Sequence, residues 1–109
     1  MSEVKTLTDR QFSAEIRLDK GLKVVDFWAP WCEPCKKLSP IIDQVAKELG
    51  DQAQVWKLNV DQNRTSPATY QVRSIPAVLV FFDGEVVERL TGVHTKEEIL
   101  KQVRKYILS

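Results

Sequence analysis

The sequence predicts a single α/β domain, residues 1–109, with a central mixed β-sheet flanked by helices on both faces. Three observations support this prediction. The chain has 109 residues, which suits one domain and is too few for two. Along the first part of the chain, segments with the apolar spacing of a strand alternate with segments that have the apolar spacing of a helix. This alternation is typical of βαβ units with parallel strands. Later, two strand-like runs flank Asp83-Gly84, a dipeptide typical of a tight antiparallel hairpin.

The first predicted elements are an extended start, a helix and a strand. Thr8 and Gln11 have the spacing of a capping box, so the helix should begin there, and Gly21 should end it. Residues 22–29 then form a strand that is apolar almost throughout, as expected of a strand covered on both faces. Asp26 interrupts its apolar run.

A second helix should begin near Pro34 and end at Gly50. Proline suits the first turn because it lacks a backbone donor that this turn leaves unused, and glycine suits a helix stop. The remaining predicted elements are a strand over 55–60, a short helix or turn over 66–71, hairpin strands over 77–82 and 85–90, and a final helix at the capping box Thr95 and Glu98. The order is therefore β-α-β-α-β-α-β-β-α.

Charge and hydropathy exclude several classes of protein. Sixteen Lys and Arg residues against fifteen Asp and Glu leave a net charge of +1, which offers no field to attract nucleic acid or a membrane surface. The longest apolar run, residues 77–82, is too short to span a bilayer. The first twenty residues contain scattered charges and no secretory apolar segment. We therefore expect a soluble, cytoplasmic chain.

The chain has two cysteines, Cys32 and Cys35, with two residues between them. A disulfide between them would close a ring of about four residues and stabilise the fold by roughly 2 kcal/mol, against about 5 kcal/mol for a loop of a hundred residues. A disulfide placed for stability would close a longer loop. The pair therefore indicates chemistry rather than scaffolding.

Residues 26–36, Asp-Phe-Trp-Ala-Pro-Trp-Cys-Glu-Pro-Cys-Lys, resemble the active-site segment of the thioredoxin family. A bare Cys-x-x-Cys is a weak signal because zinc sites share it, but Trp-Cys-x-Pro-Cys between an apolar strand and a helix is specific. The likeness covers essentially the whole chain and extends to Pro40, Lys57, Asp61, Ile75-Pro76, Gly84 and Gly92. It implies a thioredoxin fold and a protein-disulfide reductase that works through a reversible dithiol–disulfide couple.

Elementary chemistry supports the same role for the cysteine pair. A helix entrance surrounds Cys32 with unpaired backbone donors and the positive end of the helix dipole, and both favour its thiolate. We expect this sulfur to be accessible and to attack a partner's disulfide, forming a mixed disulfide. Cys35, about one turn further along, would then displace the partner. Pro34 would keep the turn between the two cysteines rigid.

Asp26 is the candidate proton acceptor for Cys35. A carboxylate in an apolar strand should have a raised pKa because burial disfavours its charged form, and this suits a base that works near neutral pH. The alternative is that Asp26 is structural and that a nearby cation, for which Lys57 is the candidate, pairs with its negative charge. The resemblance implies that both interpretations hold together.

The resemblance also implies a substrate-binding surface beside the cysteines. It predicts a cis peptide bond at Pro76, which would leave the backbone of Ile75 free to pair with an incoming peptide. Trp31 should be partly exposed, and Gly92 should border Cys32. These four residues form the predicted docking rim, with Trp28 packed beneath the site. Of the other candidates, Trp56 should belong to the core and His94 should be structural or solvated.

Glu33 is where the sequence departs from the family, which usually has glycine between this tryptophan-cysteine pair and the proline. A carboxylate roughly 6 Å from the Cys32 sulfur should cost the thiolate about 1 kcal/mol or less in largely aqueous surroundings. We therefore expect Glu33 to tune the redox couple by disfavouring the reduced form slightly. The protein would then be somewhat more reducing.

Three other functions were weighed against a reductase. An oxidant or isomerase of the superfamily tends to carry another residue, often histidine, in place of Pro34 and to work outside the cytosol. A zinc module needs four ligands, whereas the chain offers two cysteines and the distant His94. A redox-inert docking subunit would not need both cysteines.

The reductase interpretation carries expectations about cofactors and partners. We expect no metal and no bound cofactor, because the chain lacks a cofactor-binding fingerprint and the cysteines alone would carry electrons. The expected partners are proteins that contain disulfides and, as electron donor, a thioredoxin reductase that is either an NADPH-fed flavoprotein or ferredoxin-linked. We expect the chain to act as a monomer.

Overall fold

Five strands form one mixed sheet in the computed structural model of the chain, which describes residues 3–107. The strands are β1 (Val4–Thr6), β2 (Leu22–Trp28), β3 (Gln54–Asn59), β4 (Ala77–Phe82) and β5 (Glu85–Thr91). Their order across the sheet is β1-β3-β2-β4-β5, with β1, β3 and β2 parallel and β4 antiparallel to both of its neighbours. The predicted mixed sheet is confirmed. Residues 1–2 and 108–109 of the predicted domain lie outside the described residues.

In the described part of the chain, four α-helices connect or follow these strands. They are α1 (Asp9–Phe12), α2 (Glu33–Leu49), α3 (Thr65–Thr69) and α4 (Lys96–Arg104). The prediction of one helix from Thr8 to Gly21 was wrong in its second half, because the backbone widens into a π-helical turn over Ser13–Arg17. Within residues 3–107, none of the helices combines the length and apolar character that crossing a membrane would require.

The two faces of the sheet hold separate apolar clusters. Successive strand residues point to opposite faces. On β2, Val24 packs with residues of α2 and α4, whereas Val25 and Phe27 pack on the other face with residues of α1. Asp26 alternates with these residues and so lies on the same face as Val24. Trp56 is buried in the second cluster, as predicted.

Helix α2 lies over the first of these clusters and carries the cysteine motif at its start. Its 17 residues bury one face at the three- and four-residue spacing that an amphipathic helix requires. The helix continues through Pro40 and ends where Gly50 adopts a positive φ of 57°. The face consists of Leu38, Ile42, Val45, Ala46 and Leu49.

Side chains fix the starts of two other helices. The N–H of Thr95 donates to Glu98 Oε1 at 2.8 Å and the N–H of Glu98 donates to Thr95 Oγ1 at 3.1 Å, which confirms the capping box of α4. The start of α3 is capped from a distant part of the chain. Asp9 accepts hydrogen bonds from the N–H groups of Thr65 at 3.0 Å and Ser66 at 2.8 Å.

The hairpin between β4 and β5 has the geometry that its sequence predicts. Asp83 and Gly84 have φ values of 50° and 87°, and two consecutive positive φ values are the mark of a type I′ turn. A Cβ atom at Gly84 would collide with the carbonyl oxygen of Arg17. Glycine is therefore required at this position both by the turn and by the close approach of another segment.

Candidate active site

Cys32 and Cys35 are joined by a disulfide, with their Cα atoms 5.2 Å apart. Cys32 is the N-cap of α2, and its sulfur accepts a hydrogen bond from the N–H of Cys35 at 3.2 Å. This donor is one of those that a helix leaves unpaired at its start. The arrangement confirms that Cys32 lies at the helix entrance.

Both cysteines are buried in this disulfide form, so access to the reduced Cys32 thiolate stays a prediction. Cys32 is 4% exposed and Cys35 is 3% exposed. Each sulfur is covered by its bonded neighbour and by the small apolar cluster around Ala29, to which Trp28 and Ile75 also belong. Trp28 thus packs against the site as predicted.

The loop before β4 and the end of β5 meet beside Cys32. The Cys32 sulfur lies 3.9 Å from the carbonyl oxygen of Ile75, and the Ile75–Pro76 peptide bond is cis, as expected. The N–H of Gly92 donates to the carbonyl oxygen of Pro76 at 2.8 Å, which ties the two segments together. A Cβ atom at Gly92 would meet nothing within 4 Å, so the space in front of this residue is open.

Trp31 is the most exposed member of the docking rim, at 66%. Its indole Nε1 donates to Asp61 Oδ1 at 3.1 Å, and Asp61 is held in turn by a hydrogen bond from its own N–H to Asn59 Oδ1 at 2.9 Å. This bond was not predicted from the sequence, and neither was the exposure of Val93, next to Gly92. The exposure of Val93 could have been predicted, because it is an apolar residue in an otherwise polar loop.

Asp26 is buried in the sheet beneath α2 and is 4% exposed. Burial raises the pKa of its carboxyl from 3.8 to about 7, and the positive charge of Lys57 opposes that rise only in part. The Oδ1 atom of Asp26 has no hydrogen-bond partner among residues 3–107. A buried carboxyl in this state exchanges protons near neutral pH.

A cavity of about 120 Å³ joins Asp26 to one cysteine and not to the other. Cys35 lines it, whereas Cys32 does not. The cavity is lined by Asp26, Trp28, Cys35, Lys36, Ser39 and Lys57. The ammonium group of Lys57 lies 6.0 Å from the centroid of the Trp28 ring. The presence of Lys36 and Ser39 in this lining was not predicted from the sequence, although both follow Cys35 on α2.

Comparisons with known proteins agree with this geometry. The sequence model of the thioredoxin family matches residues 3–105. The chain belongs to the thioredoxin family. It is 43% identical over 100 residues to a thioredoxin of Bacillus subtilis, covering 92% of this chain and 94% of that protein. A thioredoxin of Rickettsia typhi is 45% identical over 105 residues, covering 95% of this chain and 99% of that protein.

A third relative extends the same agreement. A thioredoxin of Listeria monocytogenes is 39% identical over 104 residues, covering 95% of this chain and 99% of that protein. Family membership and the disulfide-bonded Cys32–Cys35 pair together make the chain a thiol–disulfide oxidoreductase. Its chemistry is consistent with reduction of protein disulfides.

Glu33, the departure of this thioredoxin-family chain from the usual motif, is the first residue of α2. Its Oε2 atom lies 3.4 Å from Lys36 Nζ, and both side chains are largely exposed. Pro34 follows within the first turn, one residue after the helix begins. The predicted role of proline at the start of this helix is therefore confirmed.

His94 makes local contacts at the start of α4. Its Nε2 atom lies 3.0 Å from the carbonyl oxygen of Thr91, and its Nδ1 atom lies 3.7 Å from Glu98 Oε1. These contacts fit the structural role expected for it. Across residues 3–107, no three His, Cys, Asp or Glu side chains come together in a group that would hold a metal ion.

Proposed function

We propose that this chain is a general protein-disulfide reductase in which Cys32 is the attacking sulfur and Cys35 is the resolving sulfur. One observation carries this assignment. Cys35 and Asp26 line the same cavity, whereas Cys32 caps α2 and lies 3.9 Å from the carbonyl oxygen of Ile75 in the docking rim. The two sulfurs therefore have different surroundings. Cys35 is placed to give its proton to Asp26, and Cys32 is placed to react with the partner.

The first step begins from the reduced dithiol. The N–H of Cys35 and the start of α2 favour the Cys32 thiolate, which attacks one sulfur of a partner's disulfide. A bond forms between Cys32 and that sulfur while the partner's own S–S bond breaks. The partner's second sulfur leaves as a thiolate and takes a proton from water.

The second step releases the partner. Asp26 takes the proton of the Cys35 thiol, and the resulting thiolate attacks the Cys32 sulfur. The Cys32–Cys35 disulfide forms and the mixed disulfide breaks. The partner's sulfur leaves as a thiolate and takes a proton from water, so the partner is released as a dithiol that has gained two electrons. A pKa of about 7 leaves much of the Asp26 carboxyl ionised at neutral pH, so it is available as the base. The charge of Lys57 supports that ionised form.

Partners are bound at the docking rim. We place an extended peptide along the backbone of Ile75, strand to strand, with its reacting sulfur against Cys32. Trp31 and the open space at Gly92 border this path, and Pro76 lies beside it. Such a small, partly apolar surface suits brief contact with many proteins rather than tight binding of one.

The electrons must be replaced after each turnover. A thioredoxin reductase would supply them by reducing the Cys32–Cys35 disulfide, which makes the chain an electron carrier in the cytoplasm, where thiols are kept reduced. A monomer fits this role. Among residues 3–107, Leu18, Trp31 and Val93 are the only large apolar side chains that are exposed.

Reduction of insulin by dithiothreitol tests the proposed function. The parent should accelerate precipitation of the insulin B chain, and Cys32→Ser and Cys35→Ser should each abolish this acceleration. The two variants then serve as each other's matched control. Cys35→Ser should accumulate a mixed disulfide with a substrate protein, because the attacking sulfur remains and the resolving one is lost, whereas Cys32→Ser should trap none. Trapping by Cys32→Ser instead would reverse the two roles.

A further inference from the structure

Glu33 directly follows Cys32, the proposed attacking cysteine, and its side chain is exposed. We propose that its carboxylate is a specificity determinant, favouring peptides that carry Lys or Arg next to the reacting cysteine. This inference rests on the proposed function and deepens it. The two sulfurs and Asp26 carry out the exchange itself, whereas Glu33 would decide which disulfides react fastest.

The position of Glu33 supports the proposal. It follows the attacking Cys32 directly and begins α2, and its side chain is 75% exposed. Consecutive Cα atoms are about 3.8 Å apart, so a peptide whose sulfur bonds to Cys32 brings its own neighbouring residues within reach of this carboxylate. Trp31, on the other side of Cys32, is exposed as well. A docked peptide must therefore pass between or over these side chains.

The carboxylate of Glu33 is available for a partner. Its one ion pair, with Lys36 at 3.4 Å, joins two exposed side chains, and such pairs contribute little because solvent screens them. A lysine or arginine of the partner can replace Lys36 at small cost. Asp61, the carboxylate beside Trp31, differs in this respect because it already accepts the indole N–H.

The expected preference is modest and depends on salt. Exposed ion pairs typically change an equilibrium by roughly two- to five-fold. A basic neighbour is attracted and an acidic one repelled, so lysine should be preferred over glutamate by roughly five-fold at low ionic strength. In 1 M salt the screening length falls to about 3 Å, and the preference should nearly vanish.

Two disulfide peptides that differ only in the residue next to the reacting cysteine, Lys in one and Glu in the other, test the proposal. The rate constant of the reduced protein with each peptide is measured for the parent and for Glu33→Gln, and the ratio of the two is compared. A general change in Cys32 reactivity alters both rate constants equally and so leaves their ratio unchanged. An intrinsic difference in reactivity between the two peptides affects parent and variant alike, so it cancels when their ratios are compared. We expect Glu33→Gln to lower the Lys-to-Glu ratio about three-fold or more and Lys36→Gln to raise it.

Asp51→Asn is the matched control. It removes one negative charge just beyond the C-terminal end of α2, whose 17 residues span roughly 25 Å at 1.5 Å per residue, and it should leave the ratio at the parent value. An unchanged ratio in Glu33→Gln, or an equal fall in Asp51→Asn, would overturn the proposal. A parent that reduces neither peptide would overturn the proposed function together with this inference. A parent that reduces both peptides, with a ratio that Glu33→Gln does not move, would overturn the inference alone.

Discussion

Asp26 and Lys57 are direct neighbours across β2 and β3, and both belong to the face of the sheet that α2 covers. The cation lies close enough to lower the pKa of the carboxyl, yet burial outweighs it, so the pKa rises to about 7. The balance between these two effects sets the pH at which the proposed base works. It also links proton transfer at Cys35 to the stability of the fold.

Replacing Asp26 with Asn should stabilise the protein at neutral and alkaline pH. The folded-state pKa is raised, so the native protein holds a proton that the unfolded chain loses between about pH 4 and pH 7, and the parent loses stability across that window. The gain in Asp26→Asn should grow from little near pH 4 to about 4 kcal/mol above pH 7. Urea unfolding of both proteins from pH 4 to pH 8 measures it, and a gain that does not depend on pH would rule out this assignment.

Replacing Lys57 with Gln should raise the pKa of Asp26 further. The variant removes the charge of Lys57, which lowers this pKa, so the carboxyl should titrate above pH 7 and release of the mixed disulfide should need a higher pH. NMR titration of the Asp26 carboxyl, together with the pH profile of insulin reduction, measures both effects. Lys101→Gln, on α4, removes the same charge away from the site and should shift neither. An unmoved or lowered pKa in Lys57→Gln would contradict the electrostatic coupling.

Replacing Glu33 with Gly should make the protein less reducing. The carboxylate disfavours the Cys32 thiolate and hence the reduced form, so its loss should shift the redox potential by about 20 mV or less toward less negative values. Equilibration against a thiol–disulfide buffer, followed by tryptophan fluorescence, measures the potential. Glu33→Gln separates the charge from the added backbone freedom of glycine. A more negative potential in both variants would contradict this tuning role.

Replacing Asp9 with Ala should destabilise the fold by roughly 1 to 2 kcal/mol, the usual cost of losing a helix cap. Although partial burial tends to raise the pKa of Asp9, the hydrogen bonds from Ser66 and Thr65 outweigh burial and lower it. The contribution should therefore be present above pH 4 and lost as the pH falls through the lowered native pKa. Urea unfolding at two pH values measures this, with the exposed Asp43→Ala on α2 as control. Equal losses in the two variants would show that Asp9 has no special role.

Local signals in the sequence predicted most elements of the fold. The positive φ values that Asp83-Gly84 favours and the reciprocal bonds of Thr95 and Glu98 involve residues that are neighbours in the chain, so their spacing alone indicates the structure. The anchoring of α3 by Asp9 was not predictable in this way. The two segments are more than fifty residues apart, and no local pattern records that they meet.

The sequence also indicated which residues would form the reactive part of the candidate site, but it predicted their spatial arrangement only in part. The cysteine spacing and a lone carboxyl in an apolar strand indicated Cys32, Cys35 and Asp26. The near-complete burial of the disulfide and the bond between Trp31 and Asp61 depend on how separate loops pack. Tertiary contacts of that kind leave no periodic signal in a single sequence.

Alkylation of the reduced protein by iodoacetamide, mapped to each cysteine across a range of pH, tests the different roles of the two sulfurs most directly. We expect Cys32 to be modified first and Cys35 to be protected. As the pH rises, the rate of Cys32 modification should reach its plateau before about pH 8.5, the pH at which an ordinary thiol ionises. Equal and slow modification of both cysteines, with an ordinary alkaline profile, would contradict the proposed division between an attacking and a resolving sulfur.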